Sequence, residues 1–201
     1  MIKIGLCGSS GSGKGYVCKK FKAYGVEYID TDKVYRDIAV GGSECVNELC
    51  AFFGDEIVSP DGSLDRRELS KRVFEGEGSK ERLKVLNEIT HKYIRYETVR
   101  ILEENESKGV IATIIDAPVL FESGFDKMCD VTVCVTAPTE LKINRILKRD
   151  NIPIEKAEAR LQSQLSDGSL RERCDYEIVN DDSGSLEYEI ERVARSLGIV
   201  K

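Results

Sequence analysis

Basic charge is the first thing this 201-residue sequence lacks: 30 Lys and Arg stand against 36 Asp and Glu, a formal net charge of -6. A general nucleic-acid binder needs a basic face that displaces counterions, so that role is not expected. A local basic cluster on an acidic chain can still hold a small anion. No apolar run approaches the ~20 residues that cross a bilayer. The N-terminal stretch has no signal-peptide layout. The chain therefore reads as cytoplasmic, with neither nucleic acid nor membrane as a partner. The cysteines, Cys7, Cys18, Cys45, Cys50, Cys129, Cys134 and Cys174, are odd in number and form no CxxC pair. Neither a disulfide framework nor a zinc site is expected, and the thiols read as reduced, small apolar side chains. His91 is the only histidine, so it has no metal cluster or Ser/His/Asp arrangement to join. It reads as a structural or substrate-edge residue.

Internal repeats, low-complexity tracts and a clear linker are also missing, so residues 1–201 read as one domain. Short apolar runs at Ile2 to Cys7, Val26 to Ile29, Val110 to Ile115, Val131 to Val135 and Tyr176 to Val179 have the length and apolarity of buried strands. Helical spacing separates them: Val17 to Tyr24, a long amphipathic stretch from Leu83 to Leu102, Glu140 to Arg149, Ile154 to Leu165, and Ser185 to Leu197. Strands alternating with helices imply an α/β fold with a parallel sheet and right-handed crossovers. The helical stretch over about 62–108 reads as an insertion forming a substrate-side subdomain.

The strongest local signal is Gly8-Ser9-Ser10-Gly11-Ser12-Gly13-Lys14, placed between a strand and a helix. This is the G-x-x-x-x-G-K core of a phosphate-binding P-loop in its required setting. Glycines let successive N–H groups turn towards phosphate oxygens. The next helix adds its N-terminal dipole, and Lys14 adds a mobile cation. A dinucleotide-type G-x-G-x-x-G is absent. One position departs from the motif: Gly15 stands where Ser or Thr would give Mg²⁺ a hydroxyl ligand. The expectation is that water takes that place and Mg²⁺ binds more weakly. Tyr16, next in line, either closes over the phosphates or blocks them.

Acidic and basic residues follow at positions that suit phosphoryl transfer. Asp30-Thr31-Asp32 comes just after the second strand, where ligands collect in a parallel sheet. These carboxylates suit a base for an attacking hydroxyl or a water-mediated Mg²⁺ contact, or one of them caps the next helix. Arg36, at i+4 from Asp32, either holds an anionic substrate or pairs with Asp32. Asp116 ends the most apolar strand, the place of a metal- or nucleophile-side acid, or simply begins a loop. Arg145, Lys148 and Arg149 share one helix face that reads either as a lid over nucleotide or as a solvated surface.

Several segments together resemble the dephospho-CoA kinase family over nearly the whole chain. They are Gly8 to Lys14, Tyr28 to Arg36, Phe53-Gly54, Asp61 to Arg66, Val73-Phe74, Leu86 to His91, Asp116 to Glu122, Asn144 to Asp150, Ala159 to Gln164 and Asp175 to Asn180. The Asp-x-Asp, the Asp-x-Pro-x-Leu-Phe-Glu and the Arg-x-x-x-Arg-Asp in this order are more specific than the P-loop alone. The resemblance implies a five-stranded parallel sheet flanked by helices, a helical CoA subdomain and a lid over about 140–173. It implies transfer of the ATP γ-phosphoryl to the ribose 3′-hydroxyl of dephospho-CoA, with Mg²⁺.

By the same resemblance, Asp32 is the base, with Lys14 and Arg145 also catalytic. Gly8, Gly11, Ser12, Gly13, Lys14, Gly15, Tyr16, Arg149 and Asn180 line the nucleotide, Asn180 near the adenine. Asp32, Arg36, His91 and Asp116 face the acceptor, and Mg²⁺ is held through water by Asp32 or Asp116. The chain departs from the family at Gly15 and Tyr16, at Lys92 in place of a proline, and in Ser166 to Arg173, a loose match to a basic lid segment. Two other readings stand beside it: a kinase for another nucleoside or nucleotide, and a nucleotide- or CoA-binding protein with weak or no catalysis. The chain is expected to be a monomer or a weak homo-oligomer.

Overall fold

The apolar runs become strands, and their order explains their burial. The computed structural model describes all of Met1–Lys201. Its five strands are β1 (Ile2–Cys7), β2 (Glu27–Asp30), β3 (Ala112–Asp116), β4 (Val131–Thr136) and β5 (Tyr176–Val179), in the spatial order β2-β3-β1-β4-β5. β1 runs parallel to β3 on one side and to β4 on the other, and β4 runs parallel to β5. A central strand in a parallel sheet is covered on both faces and must be apolar throughout. Accordingly Ile4 and Leu6 are fully buried.

Residues 1–29 and 103–201 form one compact unit and Asp30–Leu102 a second. In the first, α1 (Lys14–Ala23) lays Val17, Cys18 and Phe21 on the sheet. The closing helix α9 (Leu186–Ser196) adds Ile190, Val193 and Ala194 to the same core. In the second lie α2 (Thr31–Ile38), α3 (Glu44–Phe53), α4 (Arg66–Phe74) and the start of α5 (Ser79–Ser107), around Leu49, Ile57, Val73 and Ile89. Side-chain caps fix three of these starts: Asp30 accepts from the Lys33 N–H, Ser43 from that of Val46, and Asp65 from those of Arg67 and Glu68. The remaining helices, α6 (Thr139–Asp150), α7 (Ile154–Gln162) and α8 (Asp167–Arg173), belong to the first unit.

Several boundaries differ from expectation for local reasons. β3 starts at Ala112 rather than Val110, because the Val110 N–H is taken by the Asn105 carbonyl at the end of α5. α7 stops at Gln162, short of the expected Leu165, where the chain tightens and the Gln164 N–H donates to the Leu161 carbonyl three residues back. The expected helical insertion over 62–108 lies largely inside the second unit, which already begins at Asp30. The expected lid stretch, 140–173, is helical through α6, α7 and α8.

Candidate active site

The phosphate loop leaves β1 at Gly8 and enters α1 at Lys14. Gly11 and Gly13 have φ of +79° and +98°, backbone that side-chain-bearing residues avoid. Close neighbours reinforce the choice. A Cβ on Gly8 would lie 2.5 Å from the Val135 carbonyl oxygen, and one on Gly11 would lie 2.5 Å from that of Lys142. A Cβ on Gly13 would run into the Asn180 side-chain amide. The Lys14 Nζ donates to the Gly8 carbonyl at 2.9 Å, folded back along the loop it serves.

Donors from outside hold the loop's carbonyls away from its anion-facing side. Arg145 on α6 donates to the Gly11 carbonyl at 3.1 Å and the Ser12 carbonyl at 3.5 Å. Its other nitrogen reaches the Asn180 carbonyl and side-chain oxygen and pairs with Asp182 at 2.5 Å. Asn180, just past β5 and buried, donates its Nδ2 to the Ser12 carbonyl at 2.7 Å. With its carbonyls so restrained, the loop can present N–H groups to an anion. The Ser12 hydroxyl is buried with no partner. Arg145 was expected over the phosphates and Asn180 near the adenine; here both grip the loop itself. Arg149 forks onto Asp150 at 2.7 and 3.0 Å and donates to the Ser10 hydroxyl at 3.3 Å. Arg149, with Arg160, holds the Asp150 carboxyl well below the usual carboxylate range.

Two departures in the motif receive structural answers. An ideal Cβ on Gly15 meets nothing within 4 Å, so the missing hydroxyl leaves open space rather than a filled one. Tyr16 is tied to α9. Its hydroxyl donates to Glu187 on α9 at 2.7 Å, and Lys20 pairs with the same carboxylate at 2.5 Å while lying over the Tyr16 ring. Lys20 and Tyr16 together lower the Glu187 pKa.

Asp116 ends β3 beside Leu6 of β1, and its carboxylate accepts from the Tyr28 hydroxyl at 3.2 Å. Mg²⁺ prefers few protein oxygens, several waters and substrate phosphates. Asp116 offers one hard carboxylate of that kind at the end of β3.

A family profile described as CoaE, dephospho-CoA kinase, matches residues 2–186. The chain belongs to the dephospho-CoA kinase family. It is 38% identical over 194 residues to the dephospho-CoA kinase of Corynebacterium diphtheriae, covering 96% of this chain and 94% of that one. It is 38% identical over 193 residues to the dephospho-CoA kinase of Fusobacterium nucleatum, covering 96% and 95%. The fold superposes on the solved dephospho-CoA kinase from Campylobacter jejuni with a TM-score of 0.70 at 24% identity, covering 97% of this chain and 96% of that one.

The remaining positions that match the dephospho-CoA kinase motifs lie in the second unit. Asp30 is the N-cap of α2, accepting from the Lys33 N–H at 3.0 Å. Asp32, in the first turn, is exposed. Arg36 pairs with Asp30 at 3.7 Å, not with Asp32 as the i+4 spacing suggested. The capping position of Asp30 brings its carboxylate within reach, and the Asp32 carboxylate is left out of that pair. His91 is half-buried on α5; burial first, and Arg95 second, push its pKa down. Lys92, in place of the family's proline, bonds Glu48 of α3, which also accepts from the Tyr93 hydroxyl at 2.7 Å.

Sequence reasoning missed three loop partners. Gln164 accepts from the Ser10 N–H through Oε1 at 2.8 Å. Lys142 and Asp167 form a largely buried ion pair at 2.8 Å beside Ser9. The resemblance had covered Gln164 without assigning it a contact. Lys142 lies one turn before Arg145 on the same face, a spacing that could have drawn attention to it.

Proposed function

We propose that this chain transfers the γ-phosphoryl of ATP to the ribose 3′-hydroxyl of dephospho-CoA, giving CoA and ADP. The observation that carries the reading is the phosphate loop itself, whose Gly11 and Ser12 carbonyls are held from behind by Arg145 and Asn180, in a chain whose family is dephospho-CoA kinase. In the reaction the acceptor oxygen forms a bond to the γ-phosphorus as the bond to the ADP oxygen breaks. Asp32 takes the hydroxyl proton. Support for that role is its match to the family's Asp-x-Asp and a carboxylate outside the Asp30–Arg36 pair.

Lys14 follows the phosphate charge with its ammonium, and the loop N–H groups and the α1 dipole hold the β- and γ-phosphates. Arg36 and His91 belong to the acceptor side in this reading, with His91 neutral at pH 7. Arg145, gripping the loop carbonyls, acts by keeping the loop in shape. Arg149, tied to the Ser10 hydroxyl, faces the nucleotide side. Asp116 would hold Mg²⁺, with water at the open Gly15 position. A bound Mg²⁺ neutralises charge developing on the transferred group.

No helix is long and apolar enough to cross a membrane. A cytoplasmic enzyme, monomeric or weakly homo-oligomeric, is the setting we propose, its location in keeping with seven free cysteines. The test is direct: mix purified protein with Mg²⁺-ATP and dephospho-CoA and follow products by mass. CoA forming in proportion to enzyme is the expected result. ATP binding with no CoA at any Mg²⁺ concentration overturns the reading.

A further inference from the structure

Behind the phosphate loop lies a charged knot that the motif does not contain. Ser9 is buried, as is Lys142 on α6. The Lys142 Nζ donates to the Ser9 hydroxyl at 3.1 Å and to Asp167 Oδ1 at 2.8 Å. The Ser9 hydroxyl in turn donates to the same Oδ1 at 3.1 Å, and Asp167 Oδ2 accepts from the Ala137 N–H at 3.3 Å. Asp167 thus ties together the residue after β4, the first turn of α6 and the second residue of the loop. The Lys142 backbone closes on the loop as well, since it is what a Cβ on Gly11 would strike. Three residues before Asp167, Gln164 accepts from the next loop amide, Ser10, at 2.8 Å.

A buried ion pair is a poor way to add stability, because desolvation offsets much of the attraction. An apolar pair of similar volume would serve the fold as well. What an apolar pair cannot do is hold the Ser9 hydroxyl between a donor and an acceptor. We propose that Lys142 and Asp167 are positioning residues: through Ser9 they set the entry of the phosphate loop so that its N–H groups meet the nucleotide phosphates without rearrangement. Preorganised donors bind an anion more tightly than donors that must first be ordered. The effect belongs to nucleotide binding, and the inference rests on the ATP-using function proposed above.

The experiment separates fold from positioning by removing the whole pair. The variant Lys142→Met/Asp167→Leu leaves no lone buried charge, so its melting temperature stays within a few degrees of the parent's. Its Kd for ATP, measured by calorimetry without acceptor, rises about tenfold. In turnover, the KM for ATP rises with it while kcat and the KM for dephospho-CoA change by no more than about twofold. Parental ATP affinity in the folded double variant overturns the proposal. If the double variant does not fold, Ser9→Ala, which keeps the ion pair, decides: ATP binding weakened several-fold supports it, and unchanged binding overturns it. Because calorimetry reads ATP alone, failure of the acceptor assignment would appear separately, as ATP binding without CoA.

Discussion

Asn180 Nδ2 and the Ser12 carbonyl oxygen lie 2.7 Å apart, joining the end of β5 to the middle of the phosphate loop. The bond is buried, so its loss strands a polar group away from water. Asn180→Ala should cost about 1–3 kcal/mol of stability. It should also raise the KM for ATP, since the Arg145 guanidinium loses an acceptor at the same place. Thermal unfolding alongside ATP titration checks both parts.

Asp32→Asn keeps size and shape and removes the proton acceptor. We expect kcat to fall by about 10²–10⁴, the usual range for loss of a general base. ATP affinity should hold, because Arg145, Asn180 and Gln164, which hold the loop, are untouched. A variant with parental kcat would take the base role away from Asp32.

Gly15→Ser should lower the Mg²⁺ concentration needed for half-maximal rate. The new side chain enters open space at the start of α1, and its hydroxyl can replace a water ligand. A Mg²⁺ titration at saturating ATP measures the change. An unmoved curve would mean that water serves that position as well as a hydroxyl.

His91 makes stability depend on pH. Its folded pKa lies below the unfolded value of about 6.5, so the folded chain binds the proton less readily than the unfolded one. That contribution is complete above about pH 6.5 and is lost as pH falls through the folded value. Melting temperatures measured from pH 7.5 down to about 5 should decline, and His91→Gln should flatten that part of the profile.

What could be read in advance followed from local chemistry. Ile2 to Cys7 and Tyr176 to Val179 are short apolar runs, and both became strands with those boundaries. α8 went unnoticed because it is short and buries only Leu170, too little for a periodic face. The phosphate loop was legible because its residues are adjacent. Its partners were not: Lys142, Asp167 and Asn180 come from three later elements, and no spacing rule links them to Ser9 or Ser12. Of the two readings of Arg36, pairing with Asp32 gave way to Asp30 for a related reason, since capping placed Asp30 nearer the guanidinium. Tyr16 had two readings near the phosphates, and no spacing rule pointed to its hydroxyl's partner, Glu187 on α9, 171 residues away in sequence.

The three loop glycines are crowded by different kinds of neighbour, and this bears on how their loss can be repaired genetically. A Cβ on Gly8 or Gly11 would strike the backbone of Val135 or Lys142, whereas one on Gly13 would strike the Asn180 side chain. A backbone atom is the same whatever residue bears it. Second-site suppressors of an alanine at 8 or 11 therefore have no single codon to alter. An alanine at 13 does have one, at Asn180, although the left-handed backbone there would still be strained. Revertant screens should accordingly return true reversions at 8 and 11, and compensating pairs only between 13 and 180.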